Sequence, residues 1–197
     1  MSMAGAIFRG DQWLVTGELI YVFADPATQT ARPVPPALRA AMQGFDAGEA
    51  MTEMRTGDWT TLGEAAAAVR TAVFVEEQGI AREDEWDAAD HSAVHAVVTN
   101  LLGMPVATGR LLREGDPAAR TARIGRMAVD RALRGSGVGR QVVQALEQAA
   151  RARGDTAVVL SAQRAAQPFY ARLGYLPDGE PYEEVGIPHI GMRRSLG

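Results

Sequence analysis

The chain has 197 residues, of which 47% are hydrophobic and 22% are charged, a composition typical of one globular domain with a modest addition. Its formal net charge of −4 argues against general attraction to nucleic acid or to an anionic membrane. The absence of cysteine excludes disulfides, thiolate metal sites and a cysteine nucleophile. Because the sequence has no run of about 18 apolar residues and no signal-peptide core, we expect a cytoplasmic protein.

The first 50 residues differ in pattern from the remainder. Alternating apolar residues predict a half-buried strand over residues 13–23, closed by Asp25 and Pro26. Pro36 then begins a short predicted helix with one apolar side, and the polar residues 46–58 are a predicted linker. We therefore expect an N-terminal strand–helix extension at residues 1–50 and a main domain at residues 51–197.

The main domain shows helix and strand signals in alternation. Thr61 and Glu64 have the spacing of a capping box, and the apolar residues after them recur at helical intervals. Two apolar runs predict a hairpin that turns near Gly103. The predicted strands cover residues 93–99, 106–112, 124–129, 157–161, 182–187 and 189–193. A long helix is predicted at residues 138–153, and a short one includes Pro168 and stops before Gly174. This order indicates an α+β fold.

A glycine-rich turn lies between a predicted strand and the long helix. The run from Arg134 to Arg140 contains Gly135, Gly137 and Gly139, and it opens a helix whose first backbone N–H groups have no partner within the helix. Such a turn binds anions, and the two arginines can add charge-assisted hydrogen bonds to a pyrophosphate. The spacing excludes a Rossmann fingerprint, and a P-loop is excluded because all 20 basic residues are arginine.

A second motif follows the next strand. Gln163, Ala166, Tyr170, Gly174 and Tyr175 stand at the spacing N-x-x-A-x-x-x-Y-x-x-x-G-F/Y, with Gln in place of Asn. Together with R-x-x-G-x-G, this motif resembles the GNAT superfamily of acyl-CoA-dependent N-acyltransferases. The stretches at residues 74–80, 85–87 and 184–189 resemble its ElaA-like branch, and the resemblance spans residues 52–194.

The resemblance implies a GNAT-type fold, in which helices flank a central mixed sheet, and acetyl transfer from acetyl-CoA to a primary amine. Tyr170 is then the acid that protonates the departing thiolate, and a backbone N–H of Met127, Ala128 or Val129 holds the thioester oxygen. Gln163 offers its amide to the pantetheine arm. The predicted pyrophosphate loop comprises Arg134, Gly135, Ser136, Gly137, Val138, Gly139 and Arg140. No metal is implied.

The general base stays open among Glu77, Glu85, Glu184 and His189, of which Glu184 and His189 are our candidate catalytic residues. A second hypothesis concerns the acidic residues 83–90, which either attract a cationic amine or form a solvated loop. His91 and His95 have the i, i+4 spacing of helical metal ligands, but the valines around His95 indicate a strand, which argues against a metal site.

Two alternative hypotheses for the function also follow from the sequence. A catalytically silent acyl-CoA-binding sensor, or interaction module, would keep the arginine–glycine loop without depending on Tyr170. Residues 1–50 resemble the last strand and tail of a hotdog-fold acyl-CoA thioesterase, although that fold's central helix is missing from the chain. The acceptor stays open between a small-molecule amine and a peptide. Because an apolar strand needs a cover, a homodimer is among the expected arrangements.

Overall fold

Strand pairing begins close to the N-terminus in the computed structural model, which describes residues 2–197. β1 (Ser2–Arg9) and β2 (Gln12–Ile20) form an antiparallel hairpin, and α1 (Pro36–Asp46) follows. All the described residues of both strands are exposed, so the prediction of a half-buried strand is wrong. Alternation can predict a strand, but burial also requires a covering layer, which a two-stranded hairpin does not supply for itself.

The contacts divide the chain into two compact units, Met1–Glu49 and Ala50–Gly197. The first unit contains the hairpin and α1. The clusters of buried apolar side chains all belong to the second unit.

The second unit is built around an eight-stranded mixed sheet. Its strands are β3 (Thr52–Gly57), β4 (Val94–Asn100), β5 (Pro105–Arg113), β6 (Thr121–Val129), β7 (Ala157–Gln163), β8 (Leu176–Pro177), β9 (Tyr182–Glu184) and β10 (Ile187–Ser195). Its helices are α2 (Trp59–Arg70), α3 (Arg82–Glu85), α4 (Val138–Ala152) and α5 (Gln167–Arg172), and a π-helical segment, Thr71–Glu77, continues α2. The strand order is β3-β4-β5-β6-β7-β10-β8, with β9 paired to β10.

The pairing is antiparallel except between β6 and β7, which run parallel. The connection between these two strands contains α4, as parallel neighbours require. The apolar face of α4, with Val142, Val143 and Leu146, is completely buried in the largest core cluster. The predicted α+β fold with a central mixed sheet and flanking helices is confirmed.

Two local predictions at the start of this unit are wrong. The stretch predicted as a linker contains the edge strand β3, whose polar residues are compatible with an edge because one side of the strand pairs with β4. The capping box is also displaced. Asp58 caps α2 by accepting the backbone N–H of Thr61 at 2.9 Å, so Thr61 lies inside the first turn.

Within residues 2–197, none of the helices is both long enough and apolar enough to cross a membrane.

Candidate active site

The parallel strands β6 and β7 separate before they end. They pair only from Thr121 to Ile124 on β6 and from Ala157 to Leu160 on β7. Beyond this point β6 pairs only with β5, and β7 pairs only with β10. The separation opens a gap in the middle of the sheet, between the last residues of the two strands.

A β-bulge accompanies the separation. The register between β5 and β6 shifts opposite Gly109, and Arg126 on β6 has φ of +50°, which is unusual for a non-glycine residue. A Cβ atom at Gly109 would lie 2.5 Å from the Met127 sulfur, so a larger residue here would displace the Met127 side chain. The bulge leaves Met127 lining the gap.

The glycine-rich turn presents an open helix N-terminus. Gly135 and Gly137 have φ of +85° and +97°, a backbone conformation that side-chain-bearing residues rarely adopt. Gly137 is the N-cap of α4, and no side chain caps the helix there. The first backbone N–H groups of α4, which has 15 residues, are therefore available to an anion together with the positive end of the helix dipole.

Two of the side chains predicted to contact acyl-CoA, Arg134 and Gln163, are already paired. The Arg134 guanidinium donates to both carboxylate oxygens of Glu77 at 2.7 Å, and its Nε donates to the Val129 carbonyl at 3.1 Å. The hydrogen bond from Arg134 lowers the pKa of Glu77. Gln163 donates its amide N–H to the side-chain oxygen of Gln78 at 3.0 Å.

A cavity of about 500 Å³ lies at the gap. Of the predicted site residues, Met127, Gln163, Tyr170, Glu184 and His189 line it. Its remaining wall contains both apolar and charged side chains, among them Phe74, Ile80, Asp84, Glu85, Asp87, Arg110, Ile124, Arg126, Leu160, Ser161 and Ile187.

Tyr170 is the buried aromatic group of this cavity. It is only 7% exposed, and its ring contacts Phe169 and Tyr175 edge-on at centroid distances of 4.9 and 5.9 Å. Within residues 2–197, its hydroxyl has no hydrogen-bond partner. Burial raises the pKa of Tyr170, so the phenol keeps its proton throughout the physiological pH range.

Tyr175 belongs to the same motif and is part of the hydrophobic core. Its hydroxyl donates to the Glu147 carboxylate at 2.9 Å, and Arg194 donates to the same carboxylate at 2.8 and 2.9 Å. Burial, followed by the negative charge of Glu147, raises the pKa of Tyr175. Its hydroxyl is therefore structural.

Glu184 and His189 face the cavity from β9 and β10. The Ser161 hydroxyl donates to the Glu184 carboxylate at 3.2 Å, and the same hydroxyl is hydrogen-bonded to Tyr182. The Tyr182 ring stacks on His189 at a centroid distance of 6.0 Å. His189 places its Nδ1 atom 2.8 Å from the Ile187 carbonyl oxygen. Because a carbonyl only accepts, Nδ1 carries a proton, and the tautomer with this hydrogen bond has its lone pair on Nε2.

The other two candidate bases have ion-pair partners. Glu77 is bound to Arg134, and Glu85 is bound to Arg70 at 2.6 Å. Burial raises the pKa of Glu85, although the Arg70 side chain opposes this effect.

Three of the acidic residues 83–90 are partners of arginines, so these residues are not simply a solvated loop. Asp84, Glu85 and Asp87 line the cavity, and attraction of a cationic amine by them stays a prediction. Asp90 accepts from Arg70 at 2.7 Å and from Arg110 at 2.8 Å, deep in the protein. Asp87 accepts from Arg110 at 2.7 and 2.6 Å, and from Arg126 at 3.2 Å. With Glu85, these side chains fasten the 82–90 loop to the sheet beside the cavity.

The hydrogen bonds to Arg110 lower the pKa of Asp87. For Asp90, burial works in the opposite direction, but hydrogen bonds from Arg70 and Arg110 lower its pKa overall.

His95 lies in β4, as predicted, and it is buried. Its Nε2 atom is 2.9 Å from the Asp90 carbonyl oxygen, and its ring lies 5.0 Å from that of Trp59. Burial lowers the pKa of His95. Across residues 2–197, the structure contains no group of three or more His, Cys, Asp or Glu side chains that could hold a metal ion.

Sequence reasoning missed several residues of this region. Ser161 was weakly indicated, because it is the polar residue of an apolar strand. Nothing in the sequence distinguished Gln78 from an ordinary surface residue. Arg126 could not be found because its role depends on a bulge and on partners about 40 positions away, at Glu85 and Asp87.

Comparison with known proteins agrees with the family resemblance of the sequence. The family model for the acetyltransferase (GNAT) domain matches residues 66–196. The chain is 38% identical to protein ElaA from Escherichia coli over 133 residues, which cover 65% of this chain and 84% of ElaA.

Solved structures agree with the family match. The crystal structure of E. coli ElaA is similar with a TM-score of 0.64 and 34% identity, covering 73% of this chain and 99% of ElaA. An acyl-CoA N-acyltransferase from Pseudomonas aeruginosa is similar with a TM-score of 0.63 and 36% identity, over 73% of this chain and 99% of that protein.

Proposed function

Since this chain belongs to the GNAT acetyltransferase family, in its ElaA-like branch, and is therefore an acyltransferase, we propose that it transfers an acetyl group from acetyl-CoA directly to a primary amine. The observation that carries the proposal is the position of Tyr170. A buried phenol with an unpartnered hydroxyl lines a cavity at the gap in the sheet, close in sequence to the strand whose end forms that gap.

Acetyl-CoA fits the donor groups beside the gap. The open N-terminus of α4, between Arg134 and Arg140, supplies backbone N–H groups and positive charge for the pyrophosphate. Gln163, at the end of β7, offers an amide to the pantetheine arm, which can pass between the separated strands. These groups fit a diphosphate with a slender polar arm.

The amide of Val129 is suited to hold the thioester oxygen. Asp130 donates its backbone N–H to Val106 on β5, so strand alternation turns the polar backbone groups of Val129 toward the opposite side, where the gap lies. The Val129 carbonyl accepts a hydrogen bond from Arg134, which supports this orientation of the Val129 backbone. Charge that develops on the oxygen is then stabilised by a fixed donor.

In direct transfer the cationic amine loses two protons and the sulfur gains one. Once the amine is neutral, its nitrogen forms a bond to the acetyl carbon while the carbon–sulfur bond breaks. Tyr170 gives its proton to the departing sulfur, and the proton that the acylated nitrogen then loses restores the Tyr170 phenol. We assign His189 as the base, because its Nε2 lone pair can take the proton from the amine while Nδ1 is anchored to Ile187. Glu184, held by Ser161, binds the cationic form of the amine before it loses that proton. The chain has no cysteine to form an acetyl-cysteine intermediate.

We also propose a role for each of the two units and a location for the protein. We assign residues 1–50 to an extension and residues 51–197 to the acetyltransferase domain, acting in the cytoplasm, where acetyl-CoA is available. The acceptor is a small-molecule amine or a peptide.

We also propose a homodimer through the hairpin β1–β2. The large apolar side chains at residues 3–23 are 40–74% exposed. Side chains of this size present on the order of 100 Å² each, so those on one face of the hairpin together reach the several hundred Å² or so that mark interaction sites. A second copy fits as the occupant, because each strand has an edge without a partner within the hairpin's two-stranded sheet, and an identical edge can continue an antiparallel sheet.

The test of the function is release of free CoA from acetyl-CoA in the presence of a panel of amines. The proposal expects release with at least one primary amine, and an acetylated product whose mass increases accordingly. Binding of CoA without turnover on any amine would favour the acyl-CoA sensor instead.

A further inference from the structure

Adjacent residues of one segment hold Arg134 and Gln163, two of the side chains that we assign to acyl-CoA. Glu77 takes the Arg134 guanidinium in a two-pronged ion pair, with both distances 2.7 Å. Its neighbour Gln78 accepts the hydrogen bond of the Gln163 amide at 3.0 Å. Each partner offers an oxygen of the kind that the cofactor would bring, a negatively charged oxygen to the arginine and an amide oxygen to the glutamine.

The segment that carries these residues spans the gap. Arg134 belongs to the loop that follows β6, whereas Gln163 is the last residue of β7. Because Glu77 and Gln78 are consecutive, the chain between the two contacts runs from one side of the separated strands to the other. The pantetheine arm has to pass through this place if it reaches Tyr170 from the pyrophosphate loop.

The backbone around these residues departs from regular helix. The segment Thr71–Glu77 is π-helical, a form that occurs mostly as short insertions and often at functional sites. Gly79 follows directly with φ of +71°, and a Cβ atom there would meet no atom within 4 Å. Glu77 and Gln78 therefore stand between an irregular helical turn and a glycine with open space around it.

We propose that Glu77 and Gln78 act as internal placeholders for acyl-CoA, with the Glu77 carboxylate in place of the diphosphate and the Gln78 amide in place of a pantetheine amide. The inference rests on the proposed function. Both residues are positioning residues. They keep Arg134 and Gln163 oriented in the empty enzyme, and acyl-CoA must displace them to bind. The wild-type affinity for acyl-CoA is thus lowered by the contacts that have to be given up.

The ion pair is of a strength that a ligand can displace. The Arg134 and Glu77 side chains are 43% and 34% exposed, and a pair with this exposure is partly screened by solvent. A diphosphate carries more charge than one carboxylate and can also bind the backbone N–H groups of α4. Exchange of Glu77 for the diphosphate is therefore favourable, and it frees the segment to move away from the gap.

The chain offers a matched control for Glu77. Glu76 is the preceding residue of the same π-helical segment and is exposed, and it has no ion-pair or hydrogen-bond partner within residues 2–197. Glu77→Gln and Glu76→Gln change the net charge equally, so general attraction of the anionic ligand is the same in both. Only Glu77→Gln removes the negative charge that pairs with Arg134.

The first experiment is calorimetric titration of CoA into the full-length chain. We expect Glu77→Gln to bind CoA about two- to five-fold more tightly than Glu76→Gln, the range that corresponds to the loss of an exposed ion pair. The difference should shrink at high salt, and Arg134→Ala should bind more weakly than wild type. In turnover, Glu77→Gln should lower KM for acetyl-CoA without raising kcat.

The second experiment separates the two placeholders by ligand. CoA without its pantetheine arm is 3′-phospho-ADP, which keeps the diphosphate. Glu77→Gln should tighten the binding of both ligands, whereas Gln78→Ala should tighten the binding of CoA and leave that of 3′-phospho-ADP unchanged.

The outcomes separate the inference from the function on which it rests. A wild-type chain that binds no CoA would overturn the proposed function and this inference with it. A wild type that binds CoA, with Glu77→Gln equal to Glu76→Gln or weaker, would overturn the placeholder role alone, because Glu77 would then be supporting Arg134 rather than competing for it.

Discussion

Tyr170 and Tyr175 illustrate how two similar residues of one motif acquire different roles. Both are buried, and their rings touch at a centroid distance of 5.9 Å. Tyr175 has its hydroxyl bound to Glu147, whereas the hydroxyl of Tyr170 has no partner within residues 2–197 and lines the cavity. The motif predicts that both residues matter, but only the surroundings of each hydroxyl distinguish Tyr170, the proton donor that we propose, from Tyr175, a structural group.

The ion pairs between the acidic residues of the 82–90 loop and Arg70, Arg110 and Arg126 could not be predicted from the sequence. Asp90 bonds to Arg70 and Arg110, each 20 positions away in the sequence. A run of acids in one loop carries no information about such partners, so the sequence could not distinguish a solvated loop from a buried anchor. The same limit applies to Arg126, whose carboxylate partner Asp87 is 39 positions away.

Replacement of Asp90 by asparagine tests this anchor. Because the change leaves two buried arginines short of a negative charge, we expect it to lower the free energy of unfolding by roughly 3–5 kcal/mol at neutral pH. The lowered pKa of Asp90 means that its stabilisation is complete above the ordinary aspartate pKa of about 4 and is lost as pH falls further. The difference between wild type and Asp90→Asn should therefore narrow in acid.

Urea unfolding at several pH values measures this effect. The exposed Asp84, in the same loop, provides the control, and Asp84→Asn should stay within about 0.5 kcal/mol of wild type. Equal stability of Asp90→Asn and Asp84→Asn at neutral pH would contradict the anchoring role.

At the scale of elements, apolar periodicity and turn residues predicted most of the second unit. The strands around the hairpin at Gly103, helix α4 and the short helix with Pro168 in its first turn are where the pattern places them. The edge strand β3 was missed because it is polar, and β1 was missed because its alanines and glycine show little alternation. The bulge at Arg126 lies opposite Gly109 and has no periodic signal in the sequence.

The turn before α4 allows a prediction at this scale. Gly137 has φ of +97°, so Gly137→Ala should cost roughly 1–2 kcal/mol of stability and distort the N–H groups that we assign to the pyrophosphate. Gly103 has φ of +79° in the β4–β5 turn, and Gly103→Ala should cost a similar amount.

Calorimetry with CoA distinguishes the two glycines. We expect CoA affinity to fall at least several-fold in Gly137→Ala and to stay unchanged in Gly103→Ala. The role assigned to the turn fails if both variants lose stability and neither loses affinity.

At the scale of the whole molecule, the site is assembled from segments that are distant in sequence. The cavity combines residues from Phe74 to His189, and the resemblance to the family was needed to predict that these segments meet. Gln163, Ala166 and Tyr170 of the second motif line this cavity, whereas the glycine turn at residues 134–140 does not contribute to its lining. The ion pair of Glu77 with Arg134 and the contact of Gln78 with Gln163 could not be predicted, since they join surface-type residues across the gap.

Removal of residues 1–49 tests whether the first unit forms the dimer contact while the second unit folds and binds CoA alone. All the clusters of buried apolar residues lie beyond Glu49, so the remaining chain should fold and bind CoA within about two-fold of the full chain. Loss of the exposed apolar hairpin should lower the mass seen by light scattering from dimer to monomer. An unchanged number of copies per particle would rule out the hairpin as the dimer contact.

The central claim is that Tyr170 protonates the departing thiolate, and the most direct test is the turnover of Tyr170→Phe beside Tyr175→Phe, once an acceptor has been found. We predict that Tyr170→Phe binds acetyl-CoA within a few-fold of wild type but turns over about 10²–10⁴-fold more slowly, because the ring packing is kept and the only transferable proton is lost. Tyr175→Phe should lose stability through Glu147 and keep its turnover. Since burial raises the pKa of Tyr170, the wild-type rate should show no decline from its ionisation up to about pH 10. Equal turnover of wild type and Tyr170→Phe would contradict the account.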